Sequence, residues 1–184
     1  RHLKILFGYF TLIFRLMKRN KSSNLIVLGM HRSGTSCITR IFNLNGVNLG
    51  NDLLEPQRDN PLGFWENWYL VYINRQILKN SNGSWDKPPK QIKLSLKNKL
   101  DILSFINNRN SNEVFGLKDP RMILTWKAWE PYLNNSNIVA VFRHPASVTK
   151  SLYARNNLDY ESSSYLWNTY NQILLDINKK YNIT

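Results

Sequence analysis

The feature that most constrains this chain is a glycine loop set between an apolar run and a helical pattern. Residues 25–28 are continuously apolar and lead into Gly29-Met30-His31-Arg32-Ser33-Gly34-Thr35-Ser36. Ile38, Ile41, Phe42 and Leu44 then recur at helical spacing up to Gly46. A buried strand, a tight turn and a helix are predicted in that order. Two glycines framing four residues let the backbone turn its N–H groups inward, and the following helix points its positive end at the same spot. With the hydroxyls of Ser33, Thr35 and Ser36, this is a cradle for an anion.

The rest of the chain alternates in the same manner. Residues 51–64, rich in Pro, Asn, Asp and Gly, read as a loop, and residues 81–89 as another. Helical spacing runs over 66–78, 91–106 and 122–133, the last starting after Pro120 and breaking near Pro131. Residues 114–117 and 138–142 read as strands, a helix starts at Pro145, and 160–179 carry the last helix. This order predicts an α/β fold, three-layered and P-loop-like, with a central parallel sheet flanked by helices. Ligands of such sheets bind beyond the carboxyl ends of the strands. The unusual polar clusters all fall at such ends: residues 29–36, Lys118-Asp119-Pro120-Arg121 and Arg143-His144-Pro145.

Charge narrows the partners less than it suggests. Twenty-five Lys and Arg against 12 Asp and Glu give a formal charge of +13, which favours polyanions. Lys87, Lys90, Lys93, Lys97 and Lys99 are scattered and read as solvated faces. No nucleic-acid module is visible, so no nucleic-acid partner is expected. A hydrophobic content of 42% excludes general disorder. The lone Cys37 excludes a disulfide scaffold and reads as a small buried hydrophobe on the first helix.

Two domains are predicted: residues 1–22 as an amphipathic basic helix, and 23–184 as the α/β unit that carries the glycine loop. Only residues 5–14 of the first segment are uncharged, against the roughly 20 a membrane span needs. Lys4, Gly8, Thr11, Arg15 and Lys18 form one polar stripe. Such a helix docks on this domain or an upstream one, or lies in a membrane interface; docking is favoured and a cytoplasmic protein expected. The chain opens on Arg1 and stops after an apparent helix, with 182–184 poised to begin a strand. A C-terminally truncated catalytic unit is expected.

A nucleoside-triphosphate P-loop continues Gly-Lys-Ser/Thr and holds Mg²⁺. Here Gly34 is followed by Thr35, the cation has moved into the loop as Arg32, and Asp119 is the only candidate carboxylate for a metal. That suits transfer of a group less charged than phosphoryl, with no metal expected. Residues 26–36 resemble the 5′-phosphosulfate loop of sulfotransferases that use 3′-phosphoadenylyl sulfate (PAPS). Residues 139–151 resemble their 3′-phosphate motif, in which Arg143, Pro145 and Ser151 match. Residues 59–66 and Gly116-Leu117-Lys118-Asp119-Pro120-Arg121 are similar to bacterial members of the family.

The resemblance, which spans about residues 24–180, implies PAPS as co-substrate and a hydroxyl acceptor, with a carbohydrate favoured. It implies that Arg32 steadies the leaving group, and that Ser33, Gly34, Thr35 and Ser36 bind the 5′-phosphate. Arg143 and Ser151 then grip the 3′-phosphate, and Lys118 stands in the catalytic region. Pro120 occupies the place of the His base used by one branch, so Glu66 is the expected base, with Glu55 and Asp119 in reserve. As a first-turn residue of the helix over 66–78, Glu66 has a second reading, as a dipole-favoured acid. Two rivals remain at this point: an ATP-binding P-loop kinase and a non-catalytic polyanion binder. Trp65, Trp68 and Trp85 are candidates to line an acceptor cleft, whereas Trp126, Trp129 and Trp167 read as core. His31 and His144 flank the two nucleotide motifs and read as loop packing or phosphate contacts.

Overall fold

A computed structural model describes residues 24–109, 113–133, 136–181 and 183. The predicted helix over 1–22 lies outside the described residues, as does the strand expected at 182–184 apart from Ile183. Three strands, β1 (Asn24–Gly29), β2 (Phe115–Lys118) and β3 (Ser136–Val141), pair in parallel in the order β2-β1-β3. Asn24 lies opposite Phe115 on one side and Ser136 on the other, so all three strands point the same way. The chain steps from β1 to one neighbour and later crosses to the other. The crevice beyond Gly29 is therefore the switch point where ligands of such sheets bind.

Successive β1 side chains alternate between two apolar clusters. Leu25 and Val27 join Phe42, Val47 and Leu49, the first of which comes from α1 (Thr35–Leu44). Ile26 and Leu28 join the larger cluster built from α2 (Trp68–Asn80), α3 (Leu96–Asn107), α4 (Met122–Trp129), α5 (Pro145–Asn156) and α6 (Tyr160–Tyr181). The sheet is thus flanked by helices, with β1 and β2 buried and the edge strand β3 partly covered. Each fully buried Leu or Ile contributes about 1.5–3 kcal/mol relative to exposure.

Where helices start differs from the periodicity, and side-chain caps explain why. Asn67 accepts from the N–H groups of Tyr69 and Leu70, so α2 begins at Trp68 and Glu66 stays outside it. The dipole-favoured reading of Glu66 falls with that boundary. Ser95 and Asn98 form a reciprocal capping box that delays α3 to Leu96, beyond the start expected near residue 91. A 3₁₀ turn (Glu130–Tyr132) carrying Pro131 takes over at Glu130, so the helix expected over 122–133 is α4 plus that turn.

Candidate functional site

The loop after β1 is shaped by two glycines for different reasons. A Cβ on Gly29 would lie 2.5 Å from the Thr35 methyl and 2.7 Å from the Val141 carbonyl, so β1, β3 and α1 meet only over a bare backbone. Gly34 caps α1 at φ 93°, a conformation that costs other residues about 1–2 kcal/mol. Arg32 holds φ 66° without being glycine, a local strain kept by its partners. Its Nε donates to Ser151 Oγ at 2.8 Å, and its Nη1 lies 3.6 Å from Asp59 Oδ2.

Unlike α2 and α3, α1 starts with no side-chain cap, and its first turn carries no acid. Helix α5, which follows β3, is likewise uncapped behind His144 and opens on Pro145. Two bare helix ends therefore stand at the carboxyl ends of adjacent strands, each offering N–H donors and a positive dipole end. Buried beside them, Ser33 Oγ and His31 Nε2 have no hydrogen-bond partner among the described residues. Burial, and next the charges of Arg121 and Lys118, push the His31 pKa well below its ordinary value, so its ring is neutral.

These groups line a cleft of about 300 Å³. Arg143 reaches it from the end of β3, its Nη1 donating to the Arg32 carbonyl at 2.9 Å. Trp167 Nε1 donates to the Arg143 carbonyl at 3.0 Å and packs edge-on against Phe142, so Trp167, partly buried against the larger cluster, also braces this strand end. Arg155, one helical turn beyond Ser151, contacts Asp59 at 2.6 Å. Burial and the Arg155 charge lower the Arg32 pKa, and only Asp59 works against them to any extent. Three arginines thus converge on one space, and Asp59 pairs with two of them, Arg32 and Arg155.

The opposite wall is the corner between β2 and α4. Lys118 is 2% exposed and donates to Glu66 Oε1 at 2.6 Å, the Phe64 carbonyl at 2.8 Å and Ser36 Oγ at 3.0 Å. Its three N–H groups are all engaged within the protein. Arg121 Nη1 lies 2.7 Å from Asp119 Oδ1 and 3.7 Å from Glu66 Oε2. Asn74 donates to Asp119 Oδ2 at 2.8 Å while its own carbonyl accepts from Thr125 and Trp129. Glu66 lines the cleft at 5% exposure. Its pKa is raised by burial, against the opposing charge of Lys118, which makes the carboxylate a better proton acceptor.

The structure brings Arg32, Ser33, Gly34, Thr35, Ser36, Glu66, Lys118, Arg143 and Ser151 to one neighbourhood. The two reserve bases fare differently. Glu55 is exposed and does not line the cleft, and both oxygens of Asp119 are bonded within the protein. Cys37, expected in the core, is exposed on the cleft edge, because the apolar phase of α1 runs through Ile38 and Phe42 instead. Trp126 and Trp129 are core, as their spacing indicated. Trp65 packs on the smaller cluster, with Arg40 4.2 Å over its ring, and Trp68 is exposed. His144 is exposed at the start of α5.

Asp59, Arg155 and Asn74 carried no role in the sequence. Arg155 was findable as the cation four residues after Ser151 on one helix face. Among the described residues no group of three His, Cys, Asp or Glu is placed to share a metal ion, and no helix is long and apolar enough to cross a membrane. No family model matches the chain, and no curated protein or solved structure matches it either.

Proposed function

We propose that this chain is a P-loop-like sulfotransferase that moves a sulfuryl group from PAPS to a hydroxyl on a carbohydrate. The observation that carries the reading is the convergence of Arg32, Arg143 and Arg155 on the uncapped start of α1. A doubly phosphorylated adenosine supplies the negative charge this cluster lacks. Its 5′-phosphate fits the loop N–H groups and the hydroxyls of Thr35 and Ser36, and its 3′-phosphate fits the Arg143 side. A phosphate oxygen competes with Asp59 for Arg32 and Arg155, whose planar forks suit such oxygens.

In the transfer step the acceptor oxygen attacks sulfur in line. A new S–O bond forms as the S–O bond to the phosphate oxygen breaks, and the electron pair departs with the diphosphate. Glu66 takes the acceptor proton. Arg32 offsets the charge that builds on the departing oxygen, a group fixed in place before the reaction begins. Lys118 acts by holding Glu66 and the Ser36 hydroxyl in register across the cleft.

Thermal shift with 3′-phosphoadenosine 5′-phosphate against ADP tests the reading. The first ligand stabilises selectively, by about 2.7 kcal/mol at a hundredfold excess over Kd. Equal stabilisation by both nucleotides would favour the ATP-binding alternative and overturn the proposal.

A further inference from the structure

A second cavity of about 380 Å³ adjoins the cleft, and Arg75 and Arg121 line both. Its remaining wall includes Lys79 from the last turn of α2, and Gly83, Ser84 and Trp85 from the following loop. Arg75 and Lys79 are exposed, and neither pairs with a carboxylate among the described residues. Every other cation around the reacting centre is engaged: Lys118 with Glu66, Arg121 with Asp119, Arg32 and Arg155 with Asp59, Arg143 with the loop backbone.

Trp85 is held as a rigid shelf. Tyr170 donates its hydroxyl to the Trp85 carbonyl at 2.8 Å, and Ser84 N donates to the Lys87 carbonyl at 2.9 Å. One part of the indole packs on His31, ring centres 4.8 Å apart, within the glycine loop of the cleft. Asp86, the acid next to it, accepts from Ser84 Oγ at 2.6 Å. The cavity therefore offers a partly exposed aromatic side chain beside two cations without a carboxylate partner among the described residues, and it shares Arg75 and Arg121 with the cleft that Glu66 lines.

We infer that Arg75, Lys79 and Trp85 form the acceptor subsite and that the acceptor is an acidic saccharide. This rests on the sulfuryl-transfer reading and names the substrate class of that same site. The C–H face of a sugar ring packs on an indole, its carboxylates meet Arg75 and Lys79, and the next residue enters the adjoining cleft that Glu66 lines. A neutral sugar would leave both cations without a partner.

The test uses the full chain and a tetrasaccharide of hexuronate residues, titrated calorimetrically with 3′-phosphoadenosine 5′-phosphate bound. The expected result is binding that weakens about tenfold in the double variant Arg75→Ala, Lys79→Ala. It stays unchanged in Lys93→Ala, Lys99→Ala, which removes the same charge from exposed sites elsewhere. Trp85→Leu weakens the tetrasaccharide with nucleotide affinity intact. Equal loss in both double variants overturns the inference, because charge alone would then explain binding. Undiminished affinity for the carboxyl-reduced tetrasaccharide does the same. Nucleotide binding without tetrasaccharide binding overturns the subsite alone, whereas absence of nucleotide binding overturns the transfer reading and the subsite together.

Discussion

Two strand-to-helix corners face each other across the cleft, and they handle charge in opposite ways. At the β2–α4 corner, Lys118 and Arg121 are matched by Glu66 and Asp119, and every N–H of Lys118 has an internal acceptor. At the β1–α1 corner, Arg32 and Arg155 share Asp59 while Arg143 donates to the Arg32 carbonyl, the helix start is uncapped, and two buried polar atoms have no hydrogen-bond partner among the described residues. A buried cluster that neutralises itself holds a shape. One that does not is ready for an anion from outside. The first corner accordingly holds Glu66 in place, and the second is the one to which the proposed function assigns the phosphates.

The contrast is easiest to break at Lys118. Lys118→Met leaves Glu66 buried with only Arg121 nearby and is expected to cost about 3–5 kcal/mol, read from urea denaturation. Arg32→Ala should change stability by less than about 1 kcal/mol. If the two variants unfold at the same urea concentration, the corners do not differ as described.

Activity should invert that order. Arg32→Ala is expected to lower the rate of sulfuryl transfer about 10²–10³-fold with an unchanged circular dichroism spectrum. The base proposed at the opposite corner adds a pH signature. Only ionised Glu66 accepts a proton, and burial raises its pKa above the ordinary 4.5. Activity therefore rises with pH through a midpoint above 4.5, and Glu66→Gln removes that acid limb along with most of the rate.

Arg143→Ala should weaken 3′-phosphoadenosine 5′-phosphate about 10–100-fold, the size of a lost charge-assisted contact, while ADP affinity stays put. Isothermal titration with both ligands checks it. A parallel loss for ADP would place Arg143 on the 5′ side instead.

The smallest effect concerns His31. Its folded pKa lies well below 6.5, so below that pH the unfolded chain takes up a proton that the folded chain refuses. Stability falls as pH drops from 6.5 through the folded value, by at most about 1.4 kcal/mol per pH unit. His31→Gln should flatten that slope in thermal melts between pH 6.5 and 5.

The strand, glycine loop and first helix were legible because each depends on neighbours in the chain. A continuous apolar run fills a buried strand, glycines alone permit the turn, and a 3.6-residue period gives the helix. The start of α2 was misjudged by two residues because the cap at Asn67 competes with the apolar period beside it. Cys37 was misplaced because a single polar-or-apolar label cannot say which side of a helix start faces a crevice. The residues of the cleft could be collected from motifs, yet their pairings could not. Ser151 meets Arg32 across 119 positions, and Lys118 meets Ser36 across 82.

What the sequence settled by itself was the α/β alternation and the placing of polar clusters after strands, since both follow from local sterics and periodicity. Which charges cancel, and which stay open to a ligand, was decided only when the chain closed up. Coulomb attraction between such groups acts over a few ångströms and strengthens where burial excludes water, and neither condition exists until distant segments pack together.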